Sequence, residues 1–212
     1  MTSSAAFFSM NPWNKLDTTL ILASRSPRRK QILENMGMSF SVHIPNIENE
    51  NDYIFFHTLD ESIQNLALAK AQTIAARFES PLVLGCDTIV VVDEQVIGKP
   101  ADRDDAKSML KKLSGRLHKV YSGIALIRSE IHFAKTSSAC TEVVFREMAD
   151  WEIDEYLLNN EYIDKAGAYA IQGRAMTFID KINGCFYNVM GLPVSKTIDL
   201  FRAYNEFSKG RK

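Results

Sequence analysis

Apolar residues along the chain keep two rhythms, and the switches between them predict alternating strands and helices. Leu20-Ile21-Leu22-Ala23 is an apolar run of strand length, Ser24-Arg25-Ser26-Pro27 follows as a loop, and 28–36 predicts a helix closed by Gly37. Residues 39–44 predict a second strand. Ile63, Leu66, Ala67, Ala71, Ile74 and Ala75 recur at spacings of three and four, which places one amphipathic helix over 59–78, stopped at Ser80-Pro81. The stretch 82–92 is apolar but interrupted by Gly85-Cys86-Asp87-Thr88; it predicts strand, kink and strand, with a short hairpin partner at Val96-Ile97. Next come a helix over 104–113, strands over 120–127 and 139–145, and a helix over 150–158. Residues 161–173 show no period and read as a loop. Residues 176–182 and 185–190 predict a hairpin turned by Asn183-Gly184, and the last helix opens at Pro193. There is no repeat and no Pro/Gly/Ser linker, so the expectation is an N-terminal extension over 1–17 and one two-lobed α/β domain over 18–212.

Composition narrows the chemistry. A chain of 212 residues can bury a core without staples, and its net charge of −1 lacks the broad positive field of a protein that coats nucleic acid. An anion site must therefore be local. Cys86, Cys140 and Cys185 are odd in number and widely spaced, which indicates thiols in a reducing compartment rather than a disulfide framework or a structural zinc site. With no run near the roughly 20 apolar residues of a membrane span, and no basic n-region before an apolar core, a soluble cytoplasmic protein is expected.

Five places carry candidate chemistry. Ser26 and Pro27 suit the N-cap and first position of a helix, which puts Arg28, Arg29 and Lys30 in its first turn, where the helix dipole disfavours cations. A bound phosphate would reverse that balance, using free N–H groups, the Ser24 and Ser26 hydroxyls and the guanidinium groups; a solvated basic helix end is the equal alternative. Asp87 lies inside an apolar run, so its carboxylate must reach solvent, cap a turn, or meet a cation or metal. Lys99, between Gly98 and Pro100, could reach a phosphate or simply be an exposed turn residue; Lys70 on the long helix could snorkel to the surface. Gln172 could read a base edge through its paired donor and acceptor, or sit in an ordinary loop. No P-loop signature, G-x-S-x-G elbow or H-E-x-x-H pair occurs.

Taken together, 22–29 (LASRSPRR), 86–90 (CDTIV), Gly98-Lys99-Pro100, 113–116 (LSGR), 164–173 (DKAGAYAIQG) and Gly191-Leu192-Pro193 resemble the Maf family of nucleoside triphosphate pyrophosphatases, over about Leu20 to Phe201. The resemblance implies an α/β fold similar to inosine triphosphate pyrophosphatases, a central mixed sheet flanked by helices with a cleft between two lobes. It implies hydrolysis of a nucleoside triphosphate to monophosphate and pyrophosphate with a divalent cation, Mg or Mn. By the same resemblance Asp87 is the proton acceptor, and Ser24, Arg28, Arg29, Lys70 and Lys99 are the phosphate-side positions. Arg28, Thr88 and Gln172 resemble the branch acting on dTTP and UTP, and on modified pyrimidine triphosphates, rather than its 7-methyl-GTP sister. An inosine/xanthosine triphosphate pyrophosphatase is the alternative within the enzyme class; a non-catalytic cell-division or nucleic-acid-binding regulator is the alternative outside it. Where the family has two adjacent acids, this chain has Ile47-Glu48-Asn49-Glu50, so either Glu48 or Glu50 joins Asp87 at the metal. No membrane or stable nucleic-acid partner is expected, and a homodimer is the family's habit.

Overall fold

The computed structural model describes residues 16–211, so Trp13 and nearly all of the expected extension lie outside the described residues. Strand β1 (Leu20–Ala23) is followed by helix α1 (Pro27–Asn35) and strand β2 (Phe40–His43), which lies parallel to β1. Helix α2 (Leu59–Ala75) then leads into β3 (Leu82–Val92), which pairs parallel on the other side of β1. From there the sheet turns antiparallel. A short β4 (Gln95–Ile97) folds back on the end of β3, helix α3 (Arg103–Leu113) follows, and β5 (Leu117–Arg128) and β6 (Phe133–Phe145) extend the ladder. Helix α4 (Asp150–Leu157), strand β7 (Ile179–Asn183), helix α5 (Phe186–Met190) and helix α6 (Val194–Lys209) complete a mixed seven-stranded sheet of order β2-β1-β3-β5-β6-β7, with β4 on β3.

Two expectations fail for identifiable reasons. The kink expected inside 82–92 is absent: Val83 to Val91 stay in continuous antiparallel register with β5. Gly85 serves a close approach instead of a turn. A Cβ there would lie 2.1 Å from Ala67 O, and one at Gly123 on β5 would lie 2.1 Å from Ile63 O, so α2 rests directly on the backbone of both strands. The hairpin expected over 176–190 is also absent. Residues 179–183 pair with β6, and 186–190 are helical. Buried Asn188 donates to Val120 O at 2.9 Å and Thr141 Oγ1 at 3.0 Å, anchoring the segment across the sheet as a helix and overriding its local strand pattern.

The main core lies between the sheet and α1, α3, α4 and α6, with Leu22, Leu84, Ile124, Phe145 and Phe201 near its centre. A second cluster, Ile21, Ala67, Ala71, Ile74, Val83 and Ala125, seals α2 onto the opposite face. Asp17, assigned from sequence to the extension, instead belongs to the fold. Tyr204 Oη and Ser208 Oγ each donate to its carboxylate at 2.5 Å, and Arg128 lies at 3.3 Å.

Candidate active site

The pairing of β1 with β3 ends at Ala23 opposite Gly85, whereas β3 runs on through Asp87 and Thr88. That step, at the carboxyl end of β1, opens a crevice of the kind in which open α/β sheets bind ligands. It is a cavity of about 640 Å³, lined by the loop and first turn of α1, the middle of β3, Lys70 of α2, Gly98 and Lys99, the 163–166 segment with Tyr169, and Gly191. Six cationic side chains line it (Arg25, Arg28, Arg29, Lys70, Lys99, Lys165) against three acids (Glu50, Asp87, Asp164). A nearly neutral chain thus concentrates positive charge in one crevice. A second hollow, near β2, is lined by Lys30, Glu34, Met38, Ser39, Phe40 and Val42 and brings no such cluster together.

Helix α1 begins as the sequence suggested. Ser26 is the N-cap and Pro27 the first residue, yet the Ser26 side chain makes no capping bond and no acid occupies the first turn, so first-turn N–H groups remain for an anion. Ser24 Oγ accepts from Ser26 N at 3.2 Å and from Arg29 Nη1 at 3.0 Å, which leaves its own hydrogen to donate elsewhere. The neighbouring arginines differ sharply. Arg29, 8% exposed, donates from Nε to Gly191 O at 2.8 Å, from Nη1 to Cys86 O at 2.7 Å and from Nη2 to Thr88 Oγ1 at 2.9 Å. Its guanidinium joins α1, β3 and the α5–α6 turn. Arg28 lines the cavity with Nε buried and without a partner among the described residues. Burial, then the neighbouring Arg29, lowers its affinity for the proton it carries. An anion in the cavity would relieve both penalties.

On the facing side, the close seating of α2 brings Lys70 to Asp87. Lys70 is 7% exposed, and its Nζ lies 2.5 Å from Asp87 Oδ1 and 2.7 Å from Glu50 Oε1. Snorkelling does not describe this lysine; two carboxylates hold it. Of the two acids left open by the sequence, Glu50 reaches the cavity, in a 3₁₀ turn (Glu50–Tyr53), whereas Glu48 is exposed and not among the lining residues. Asn49 between them adopts a left-handed φ of 51°, a turn that separates the two side chains. Thr88 lines the cavity, with its hydroxyl 2.8 Å from Ser122 Oγ. Lys99 stands at the rim, 3.9 Å from Asp164. Gln172 is not brought in: it is exposed beside buried Ile171, and the loop lines the cavity through Lys165, Ala166 and Tyr169. Lys165 flanks the loop in sequence, but nothing local distinguished it from an ordinary loop lysine.

Beneath the loop, Tyr169 Oη lies 2.8 Å from His118 Nε2 in the core. Burial pushes His118 down to about 4, so it is neutral at pH 7. Burial likewise raises the Cys86 thiol to about 11, against its use as a nucleophile.

The Maf-like protein family matches residues 19–204. A dTTP/UTP pyrophosphatase of Clostridium botulinum (strain Eklund 17B / Type B) is 43% identical over 178 residues, covering 84% of this chain and 94% of the relative. Proteins of the same name from Symbiobacterium thermophilum and Thermoanaerobacter sp. (strain X514) are 42% and 40% identical, over 87% and 86% of this chain and 93% and 95% of their own lengths. A solved nucleoside-triphosphatase / dITP/XTP pyrophosphatase from Mycobacterium abscessus aligns at 16% identity with a TM-score of 0.37, over 60% of this chain and 72% of that one, too slight a likeness to carry an argument.

Proposed function

The chain belongs to the Maf-like protein family, and from that premise we propose that it hydrolyses dTTP and UTP to the nucleoside monophosphate and pyrophosphate. The observation that carries the reading is the cavity itself. One wall offers unpaired cationic and N–H donors at the start of α1, and the other offers Asp87 held by Lys70. Relatives about 40% identical over most of the chain, named dTTP/UTP pyrophosphatase, support the substrate class.

In this reading the first turn of α1, the Ser24 hydroxyl, Arg28 and Lys99 bind the phosphate chain, with Lys70 beside them. Arg29 acts through its bonds, fixing Ser24, Thr88 and the Gly191 turn around the substrate. Water attacks the α-phosphorus; its oxygen bonds to phosphorus as the bridging bond to the β-phosphate breaks, and pyrophosphate departs. Lys70 engages Asp87 Oδ1, so the water's proton passes to Oδ2.

A divalent cation fits the donor set. Among the described residues no group of three His, Cys, Asp or Glu side chains stands ready for a metal. Asp87 and Glu50 are two carboxylates on one cavity wall, the number such ions commonly take from protein when substrate phosphates complete the shell. When bound, the ion would neutralise charge on the phosphate oxygens. Thr88 and Arg28 are the specificity positions that line the cavity; Gln172 would have to act from outside its present wall.

The test is incubation with Mg²⁺ and a panel of dTTP, UTP, ITP, XTP and 7-methyl-GTP, with separate assays for pyrophosphate and orthophosphate. Pyrophosphate from dTTP and UTP is expected. Orthophosphate as product would overturn the reaction, and preference for 7-methyl-GTP or ITP would overturn the substrate class.

A further inference from the structure

The loop that carries Lys165 is held in an unfavourable backbone shape. Asp164 and Ala168 adopt left-handed φ of 59° and 61°, and Gly167 between them one of 69°. Two non-glycine residues in that region within five positions store strain, which folds tolerate where a loop must present something. What fixes the shape is contact with the turn that bears Lys99. Gly167 N donates to Gly98 O at 3.0 Å, and Gly167 packs over Val90 of β3.

The pinned loop brings like charges together. Lys165 is half-buried at the cavity wall, and its ammonium donates to Ile163 O of its own loop at 3.0 Å. Among the described residues it is ion-paired with no carboxylate, because Asp164 turns to Lys99. Burial, then Arg28, makes its proton easier to lose; Lys99 adds to this, and Asp164 and Glu161 offset part of it. Arg28, Lys99 and Lys165 line the same cavity, and among the described residues only Lys99 of the three is ion-paired, at 3.9 Å from Asp164.

We propose that Lys165 is a further substrate-binding residue, which with Arg28 and Lys99 holds the two terminal phosphates and stabilises them as departing pyrophosphate. This rests on the pyrophosphatase reading above. It assigns the Lys165 loop to the leaving group rather than to the base. In the transition state the Pα–O bond lengthens and charge accumulates on the bridging oxygen and β-phosphate, where an ammonium contributes more than in the ground state.

The experiment compares wild type with Lys165→Met and Lys165→Arg. Binding of inorganic pyrophosphate and of dTMP, each with Mg²⁺, is measured by calorimetry, and far-UV circular dichroism checks folding. Losing one charge-assisted hydrogen bond predicts pyrophosphate affinity at least about tenfold weaker in Lys165→Met, partial recovery in Lys165→Arg, and dTMP affinity unchanged. Pyrophosphate affinity unaltered in Lys165→Met would overturn the proposal, as would a loss confined to dTMP. A wild type that releases orthophosphate from dTTP but binds pyrophosphate through Lys165 would refute the reaction while sparing the anion site. A wild type that binds no pyrophosphate would refute the site itself.

Discussion

Replacing each of the adjacent arginines by methionine should separate a scaffold residue from a binding residue. In Arg29→Met, the carbonyls of Cys86 and Gly191 lose their guanidinium donor at a buried position, and the Ser24 and Thr88 hydroxyls each lose one partner. The hydroxyls can rotate toward other partners, as Thr88 can toward Ser122; the Gly191 carbonyl keeps only the 3.5 Å bond from Thr88 Oγ1. At about 1–3 kcal/mol for each buried group left unsatisfied, the Cys86 carbonyl costs that much and the weakly held Gly191 carbonyl up to as much again, roughly 1–6 kcal/mol together. That is a large share of the roughly 5–15 kcal/mol that stabilises a typical domain. In Arg28→Met the sign differs. The side chain removed is a cation with an unpartnered buried Nε beside another cation. Stability should stay within about 1 kcal/mol of wild type while triphosphate affinity falls about tenfold or more. Urea denaturation followed by tryptophan fluorescence, paired with calorimetric titration of a non-hydrolysable triphosphate, reads both quantities. If Arg29→Met unfolds at the wild-type midpoint and loses only nucleotide affinity, Arg29 is a ligand rather than a tie and the division of labour is wrong.

Asp87→Asn keeps the size of the side chain but removes the proton acceptor, so pyrophosphate release should fall by at least about 10²-fold with the circular dichroism spectrum unchanged; near-normal turnover would exclude Asp87 as the base. Glu50→Gln should raise the Mg²⁺ concentration needed for half-maximal activity, whereas Glu48→Gln should not, since only Glu50 meets Lys70 and the cavity; equal responses to a Mg²⁺ titration would erase that distinction. His118 is held near pKa 4 by burial against an ordinary value of 6.5. The unfolded chain therefore binds the extra proton first, and stability contributed by the neutral ring, complete above pH 6.5, is lost as pH falls toward 4. The full effect is about 3 kcal/mol, so between pH 7 and pH 4 the urea midpoint of the wild type should fall more steeply than that of His118→Gln; parallel profiles would contradict it.

Periodicity located most elements because it reports which face is buried. The α2 pattern, the strand at Leu20–Ala23 and the Ser26-Pro27 helix start all emerge close to their observed bounds. It failed where a single long-range contact decides the backbone. Asn188 reaches Val120, 68 residues away, and turns a strand-like run into a helix; Gly85 resembles a break until α2 lies on it. The site follows the same rule. A basic helix start and an acid in an apolar run were visible as anomalies, so Arg28 and Asp87 stood out. That Arg29 would be consumed by Gly191, 162 residues away, and that Lys70 would be clasped by Asp87 and Glu50, were not, because their partners are distant in sequence. Glu50 could be told from Glu48 only once the turn at Asn49 was defined.

The clasp of Asp17 by Tyr204 and Ser208 joins positions up to 191 residues apart. A growing polypeptide can lay down β1, α1 and the whole ladder yet leave that carboxylate with Arg128 alone until the last two turns of α6 emerge. The approach to β1 is therefore secured last, and a protein cut short just before Tyr204 would keep only Arg128 on Asp17, losing both hydroxyl donors of the clasp.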